Sequence, residues 1–171
     1  MMIVALLGGK KEELYKPLVN MLASSGYRVS SAIYLRKVNI PSELKKLAEA
    51  GAGITLAYST NRLVYTTTFV PDNLEDIKKR ISCLSPVEPD VLVLLGFQKL
   101  VSDRRDVLKA LSVWSAKEAN SLISGLSPPI VGVYSERQDF PDGYNSPVEL
   151  AKAIIEEGRR RSVLPPLPKR V

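Results

Sequence analysis

Seven short apolar runs, separated by segments with helix signals, restrict this chain to a small set of folds. Each run is bounded by Gly, Pro or Ser and is largely apolar, as in strands that are buried on both faces. The runs are Met2–Leu7, Tyr27–Leu35, Gly53–Tyr58, Leu63–Phe69, Asp90–Leu95, Leu108–Trp114 and Pro129–Tyr134. Such strands are typical of a mostly parallel sheet that carries helices on both faces.

Three candidate capping boxes mark helices between or after these runs. In such a box the first side chain accepts from a free backbone amide and the Glu reaches back. The boxes are Asp72-x-x-Glu75, Ser115-x-x-Glu118 and Ser146-Pro147-x-Glu149. Alternating strands and helices predict right-handed crossovers, whereas the short turn STNR at 59–62 predicts an antiparallel hairpin. The expected fold is therefore a three-layer α/β fold with one hairpin.

Length and charge distribution predict one compact domain followed by a tail. A chain of 171 residues with 45% hydrophobic content can bury one ordinary core. Five of its six net positive charges lie in the proline-rich segment 159–171, so residues 1–158 are close to neutral. Nucleic-acid binding is therefore not expected. We expect a domain over residues 1–158 and an exposed, dispensable tail from Arg159, with a docking segment or a weak contact to acidic partners as the alternative.

Residue types that are rare or missing exclude several kinds of site. The sequence has no histidine and a lone Cys83, so neither a zinc site nor an internal disulfide is expected. Acid–base chemistry near neutral pH would fall to carboxylates, lysines and tyrosines. The apolar start is too short to span a membrane, and no export signal is visible. These features predict a cytoplasmic protein.

The segment VALLGGKKEEL has the order of parts of a phosphate-binding loop: an apolar strand, glycines, a lysine and a helix start. A working loop reads G-x-x-x-x-G-K-[ST], because this spacing lets amides wrap the phosphates while the hydroxyl holds magnesium. Counting from Gly8 places Glu13 at the second glycine. Counting back from Lys11 places Lys10 at that glycine and Glu12 at the hydroxyl. Two interpretations stay open: an ordinary strand-to-helix turn, or a degenerate phosphate cradle.

Three short elements follow one another in a characteristic order. They are a G-Y-x-V step at 26–29, an A-G-A element at 50–52, and an aspartate-to-glycine-phenylalanine strand end from Asp90 to Phe97. They lie within LVNMLASSGYRVSSAIYLRK, LKKLAEAGAGITLAYSTNRL and PDVLVLLGFQKL. In this order they resemble the MobB family, GTP-binding accessory proteins of molybdopterin-guanine dinucleotide biosynthesis, over roughly the first 135 residues. The resemblance implies a P-loop-NTPase-like fold with GTP and Mg²⁺ as ligands.

The departures from that family fall where it is expected to hold phosphate and magnesium. The G-K-T-T end of its loop is represented by the sequence KKEE at 10–13, in a loop that is too short. The acid of its E-G-F-K strand end falls on Leu95, and the lysine falls on Gln98, with Lys99 one step later. Leucine cannot ligate magnesium or polarise water. Binding of GTP and Mg²⁺ is therefore expected to be weak or absent.

Two functions are compatible with this resemblance. The first is a MobB-like accessory or adaptor protein in molybdenum or tungsten cofactor biosynthesis, with at most weak GTP hydrolysis. Its expected partners are a molybdopterin guanylyltransferase or a molybdenum-insertion enzyme, and a homodimer is an expected assembly. The second is a nucleotide-binding enzyme whose phosphate contacts have moved to other basic residues at the carboxyl ends of the strands.

The candidate nucleotide- or phosphate-binding residues follow from these two functional hypotheses. No catalytic or metal-ligating residue is expected among them. They are Gly8, Gly9, Lys10, Lys11, Glu12, Arg36, Gly96, Phe97, Gln98 and Lys99. Trp114 and Tyr134 close two apolar runs at the same expected edge, where they would either line a ring-binding pocket or belong to the core. The polar loop 135–147 follows one of these runs and is either a carrier of further binding groups or an ordinary connector.

Overall fold

A computed structural model describes residues 1–35, 39–51, 54–60, 62–67 and 71–166. In chain order the elements are β1 (Met2–Leu7), α1 (Lys11–Ser24), β2 (Val29–Ile33), α2 (Ser42–Glu49), β3 (Ile54–Ser59), β4 (Arg62–Thr67), α3 (Leu74–Leu84), β5 (Val91–Leu95), α4 (Gln98–Val101), β6 (Leu108–Val113), α5 (Ala116–Ile123), β7 (Ile130–Ser135) and α6 (Pro147–Arg160). All seven predicted strands are present.

Five of the strands form a parallel sheet in the order β2-β5-β1-β6-β7. The central strand β1 is buried along its whole length, and its side chains alternate between two apolar clusters. The cluster on one face contains residues of α1 and α6, and the cluster on the other face contains residues of α3, α4 and α5. The prediction of a three-layer α/β fold with a mostly parallel sheet is confirmed.

The hairpin is also confirmed, but it stands outside the main sheet. β3 and β4 pair antiparallel with Ser59 opposite Arg62, and they form a sheet of their own. Helix α2 packs against both of its strands. Among the described residues, no helix is long and apolar enough to cross a membrane.

The helix starts agree with the capping predictions only in part. At α6 the Ser146 hydroxyl accepts from the Glu149 amide as predicted. At α3 the capping residue is Asn73, one position later than expected, and it accepts from the Asp76 amide. At α5 the Ser115 side chain makes no capping hydrogen bond.

The chain continues to pack against the domain beyond Gly158. Helix α6 ends at Arg160, and the amides of Val163 and Leu164 both donate to the Gly158 carbonyl. Leu164 is only 5% exposed and belongs to the cluster under α1 and α6. The prediction of an exposed tail from Arg159 is therefore wrong over this stretch. The physical reason is that the turn after α6 returns an apolar side chain to the core.

The same stretch is tied to the other end of the chain. The Tyr27 hydroxyl donates to the Pro165 carbonyl, at 3.1 Å. A Cβ built on Gly158 would lie 2.4 Å from Met2 Sδ, so α6 approaches β1 closely at this point. The last five residues, 167–171, lie outside the described part of the chain.

Replacing Leu164 with alanine is expected to destabilise the fold by about 2–4 kcal/mol, because it removes a buried side chain from the main core. In a domain of this size the melting temperature should fall by about 5–15 °C. Thermal and denaturant unfolding followed by circular dichroism would measure the loss. The exposed neighbour is a matched control, and Val163→Ala should cost less than about 1 kcal/mol. Equal losses for both variants would contradict the buried position of Leu164.

Candidate functional site

The carboxyl ends of the parallel strands meet at one edge, where the chain changes direction. The segment after β1 leads into α1 on one face, and the segment after the neighbouring β5 leads into α4 on the other face. Such a switch point is where ligands bind in open α/β sheets. Gly8 and Gly96 lie directly after these two strands, with φ of +97° and +79°. These left-handed conformations favour glycine.

The glycine-lysine loop (residues 8–11) is held tightly against β6. The Lys10 amide donates to the Ser112 carbonyl at 2.9 Å, and the Ser112 hydroxyl donates back to the Lys10 carbonyl at 2.9 Å. A Cβ on Gly8 would lie 2.4 Å from the Ser112 carbonyl oxygen. The glycine is therefore required for this close approach of two backbone segments.

A carboxylate of the protein itself occupies the amides beside this loop. The Gly9 amide donates to Glu118 Oε1 at 2.7 Å, and the Trp114 amide donates to Glu118 Oε2 at 2.9 Å. Amides at a strand-to-helix turn are the groups that bind phosphate oxygens in a working phosphate loop. Here one carboxylate takes the negative position that an external anion would need.

The side chain of Lys10 is also engaged within the chain. Its Nζ lies 2.7 Å from Glu13 Oε1, 3.0 Å from Glu136 Oε1 and 3.8 Å above the centroid of the Trp114 ring. The hydrogen bond to Glu13 is the main cause of a raised pKa of Lys10, and the bond to Glu136 adds to it. Two carboxylates and a ring face thus already surround this ammonium group.

Lys11 points in a different direction from its neighbour. Its Nζ lies 3.5 Å from Glu12 Oε1, a long contact to a largely exposed carboxylate. Its Cε lies 3.4 Å from the position of a Cβ built on Gly96. Lys11 therefore lies across the end of β5 rather than over the loop, and Glu12 faces it instead of a phosphate.

The remaining predicted site residues surround an open cleft next to Gly96. This β2–β5 cleft has a volume of ≈ 540 Å³ and is lined by Tyr34, Pro71, Gly96, Phe97, Gln98, Lys99 and Leu100. The rings of Tyr34 and Phe97 meet edge to face, with centroids 6.0 Å apart and an interplanar angle of 66°. Arg36, the other predicted residue of this edge, lies outside the described residues.

The structure thus divides the predicted site residues into two groups. Gly8, Gly9 and Lys10 belong to the self-contained loop, whereas the residues from Gly96 to Lys99 line the cleft and Lys11 lies at its margin. Trp114 covers Lys10 at the first group, while Tyr134 packs against the core.

The loop after β7, which the sequence indicated as a candidate for further binding groups, contributes acidic residues that were not named individually. Asp139 accepts from the Ser135 hydroxyl at 2.6 Å and from the Ala116 amide at 2.7 Å. The bond from Ser135 is the main cause of a lowered pKa of Asp139. Asp139 thereby takes the place of the expected Ser115 cap, while Glu136 from the same loop reaches Lys10.

Glu118, Glu136 and Asp139 were missed as site residues for a common reason. The spacing of Ser115-x-x-Glu118 does mark the glutamate, but as a local helix cap. Its real partner, the Gly9 amide, is 109 residues away in the sequence. No local pattern could have indicated that contact.

The loop as folded does not fit Mg²⁺·GTP. The Gly9 amide and the Lys10 ammonium are taken by carboxylates, and Glu12 stands where the magnesium-binding hydroxyl is required. Within the described residues, no group of three or more Cys, Asp or Glu side chains is arranged to hold a metal ion. Leu95 is buried in the core at the position of the expected acid.

A parallel sheet in this order, with a glycine turn between β1 and α1, defines a P-loop-NTPase-like α/β fold. Among solved structures, the chain is similar to a crystal structure of molybdopterin-guanine biosynthesis protein B (MobB). The TM-score is 0.64 at 18% identity, over 92% of this chain and 99% of that chain. A MobB homologue from Bacillus stearothermophilus gives 0.59 at 19% identity, over 94% and 100% of the two chains.

A third comparison agrees with these two. MobB of Bacillus subtilis gives a TM-score of 0.60 at 15% identity and covers 96% of this chain and 99% of its own. The chain therefore has a MobB-like fold over nearly its whole length. Scans against protein-family models and curated proteins gave no match.

Proposed function

We propose that this chain is a MobB-like accessory protein of molybdenum or tungsten cofactor biosynthesis, acting in the cytoplasm as an adaptor for molybdopterin-guanine dinucleotide formation. The observation that carries the proposal is the similarity to MobB structures over nearly the full length of both chains. The MobB name in those structures supports the pathway, and the match covers nearly the whole of each of those chains.

The adaptor role is favoured over a nucleotide-driven role by the contacts of the loop. An anion entering there would have to displace Glu118 from two backbone amides. It would also have to compete with Glu13 and Glu136 for Lys10. Each of these contacts is a charge-assisted hydrogen bond within one folded unit, whereas a nucleotide would first lose translational freedom. We therefore propose weak or absent GTP binding at the loop, with the chain acting through protein contacts.

The proposed partners are a molybdopterin guanylyltransferase or a molybdenum-insertion enzyme, and the proposed assembly of the chain alone is a homodimer. The test is size-exclusion chromatography with light scattering on the purified chain, alone and mixed with each enzyme from the same organism. Co-elution with one enzyme at micromolar concentrations would support the adaptor role. Separate elution from both enzymes would contradict it. The mass of the chain alone decides between a monomer of 18.8 kDa and a dimer.

Titration with Mg²⁺·GTP should give no magnesium-dependent binding up to about 1 mM, because the loop supplies neither free amides nor a magnesium-binding hydroxyl. Glu118→Gln should leave this result unchanged. The substitution removes the negative charge that binds the Gly9 and Trp114 amides, but it does not supply a magnesium-binding hydroxyl. Replacing residues 9–13 with a full G-x-x-x-x-G-K-T-T segment in the Glu118→Gln background should create magnesium-dependent affinity. Isothermal calorimetry would measure all three proteins.

The outcomes of this titration separate two explanations. Magnesium-dependent GTP binding by the unmodified chain, abolished by Lys11→Ala, would show a working phosphate loop and contradict the proposal. A folded graft without any gain in affinity would show that the surrounding edge cannot support a polyphosphate, which would count against a MobB-like origin of the loop.

A further inference from the structure

Trp114, the single tryptophan of the chain, is exposed although it is held in place on several sides. Its side chain is 52% exposed. The ring lies against Gly9, since a Cβ built there would lie 2.5 Å from Trp114 Nε1, and its backbone amide donates to Glu118 Oε2 at 2.9 Å. Lys10 Nζ covers one face of the ring, 3.8 Å from the centroid. The opposite face of the indole therefore accounts for most of the exposed area.

An exposed ring that is held in this way is suited to bind a partner. The contacts on Trp114 restrict its side chain before any partner arrives, so little conformational entropy is lost on binding. The group beneath the ring is fixed as well, because Glu13 and Glu136 hold the Lys10 ammonium at 2.7 and 3.0 Å. Tryptophan is also among the residues that contribute most to binding energy at protein interfaces. Trp114 is thus a candidate anchor of a protein contact.

The charged groups that surround this ring are mostly negative. Lys10 carries one positive charge, whereas the carboxylates in contact with it or with the Trp114 amide are those of Glu13, Glu118 and Glu136. The side chains of Glu13 and Glu136 are 42% and 41% exposed, and each uses one oxygen for Lys10. In the part of the chain that the structure describes, their second oxygens make no hydrogen bond. A cationic group is therefore attracted to this surface and an anion is repelled.

Two further cations of the chain oppose this attraction without reversing it. Lys117 lies in the first turn of α5, and Arg137 directly follows Glu136. Both are exposed, and neither forms an ion pair with a residue that the structure describes. Together with Lys10 they balance the three glutamates, and Asp139 then leaves one negative charge in excess. Removing either of these two cations should therefore strengthen the binding of a cationic group, which tests the sign of the attraction.

We propose that the free face of Trp114 binds an arginine side chain of a partner protein. A guanidinium group is planar and weakly hydrated, so it stacks on an indole face by cation–π attraction and still has donors for a carboxylate. The second oxygens of Glu13 and Glu136 supply such acceptors close to the ring. The proposal goes beyond the adaptor role, because it names the chemistry that a partner presents to this edge. It does not depend on which enzyme that partner is.

The probe is a tetra-arginine peptide with blocked ends, which is titrated into the full chain at low salt. Because the chain has a single tryptophan, its fluorescence reports contact with Trp114 directly, and isothermal calorimetry gives the affinity. We expect saturable binding with a Kd of about 1 mM or below, and a change in tryptophan emission over the same range of peptide concentration. Tetra-lysine should bind about two- to fivefold more weakly, because an ammonium group does not stack, and tetra-glutamate should not bind.

Substitutions locate the binding surface. Trp114→Phe should weaken the binding of tetra-arginine about threefold and Trp114→Ala about tenfold, since phenylalanine keeps a smaller ring. Glu136→Gln should weaken it about threefold, and Arg137→Gln should strengthen it about twofold. The controls are Val87→Ala, in the exposed segment before β5, and Glu156→Gln, which removes an exposed carboxylate from α6; neither should change the affinity.

Four results would overturn the proposal. They are the absence of saturable tetra-arginine binding up to about 5 mM, binding of tetra-glutamate as tight as that of tetra-arginine, binding without a change in tryptophan emission, and equal affinity of the unmodified chain and Trp114→Ala. Circular dichroism shows whether each variant is folded, and Trp114→Phe decides if the alanine variant is not. Because the adaptor role is tested by co-elution with an enzyme and this surface by peptide binding, either can fail without the other.

Discussion

Replacing Lys109 with alanine is expected to destabilise the fold by about 3–5 kcal/mol, one of the largest effects of any single substitution in this chain. Lys109 is a strand residue with 0% exposure. Its ammonium group donates to the carbonyl of Arg104 and, at 2.9 Å, to the carbonyl of Ser127. Alanine would leave a cavity and two buried carbonyls without a donor. Denaturant unfolding followed by circular dichroism would measure the change.

A methionine at the same position separates the two parts of this loss. Lys109→Met fills most of the volume but supplies no donor, so it should recover part of the stability and remain about 1–3 kcal/mol below the unmodified chain. The exposed Lys152→Ala is the control and should stay within about 0.5 kcal/mol. If Lys109→Met were as stable as the unmodified chain, the two hydrogen bonds would contribute nothing net.

The stability difference between the unmodified chain and Lys109→Met should grow with pH. Burial lowers the pKa of Lys109 below its usual value, against the opposing effect of Asp106 and Asp103. As pH rises through this lowered pKa, the folded state releases the proton while the unfolded state still holds it, up to about pH 10.4. Stability from this group therefore increases with pH in that window. Unfolding of both proteins at about pH 7 and pH 9.5 would test the sign, and a constant difference would contradict it.

The pattern of apolar runs was sufficient to predict the fold because buried parallel strands leave a strong local signal. Strand β1 reads as an uninterrupted apolar run, and its two faces belong to two separate core clusters. The run that became β6 also carries Lys109, which no periodicity marks as a buried residue. Its position depends on carbonyls from two turns, and those turns meet only in the folded chain.

Leu164 shows the limit of composition as a guide. The prolines and arginines around it are typical of an exposed terminus. Its burial depends on one turn after α6, where two successive amides share the Gly158 carbonyl. A short apolar stretch between arginines and prolines has no helix or strand period, so it carries too little local signal to show which of its side chains is buried.

The sequence was sufficient to predict where the site lies in the fold, but not how its side chains are arranged. Strand ends and glycines identify the edge, because parallel strands bring their carboxyl ends together. The direction of each lysine was not predictable. Lys10 is drawn to Glu136 and the Trp114 ring, which arrive from the other half of the chain, and Lys11 lies over Gly96. The two adjacent lysines therefore lie at different parts of this edge, Lys10 at the loop and Lys11 beside the end of β5.

The second large effect is expected at Gly8. A Cβ there would lie 2.4 Å from the Ser112 carbonyl oxygen and 2.7 Å from Val113 Cγ1, and the residue has a φ of +97°. Gly8→Ala should therefore push the loop away from β6 and break the two hydrogen bonds between Lys10 and Ser112. We expect a loss of about 3–5 kcal/mol from the overlap and the strain together. Denaturant unfolding would measure it.

Gly51 is a matched control, because it has a similar φ of +101° but no atom of the described residues lies within 4 Å of a built Cβ. Gly51→Ala carries the conformational strain alone and should cost about 1–2 kcal/mol. The difference between the two variants measures the close approach of Gly8 to Ser112. Since that approach also holds Gly9 near Glu118, Gly8→Ala should expose Trp114 further to acrylamide, the fluorescence coming from the single tryptophan of the chain. Equal losses for both alanine variants would mean that the loop is not held against β6 as tightly as its contacts indicate.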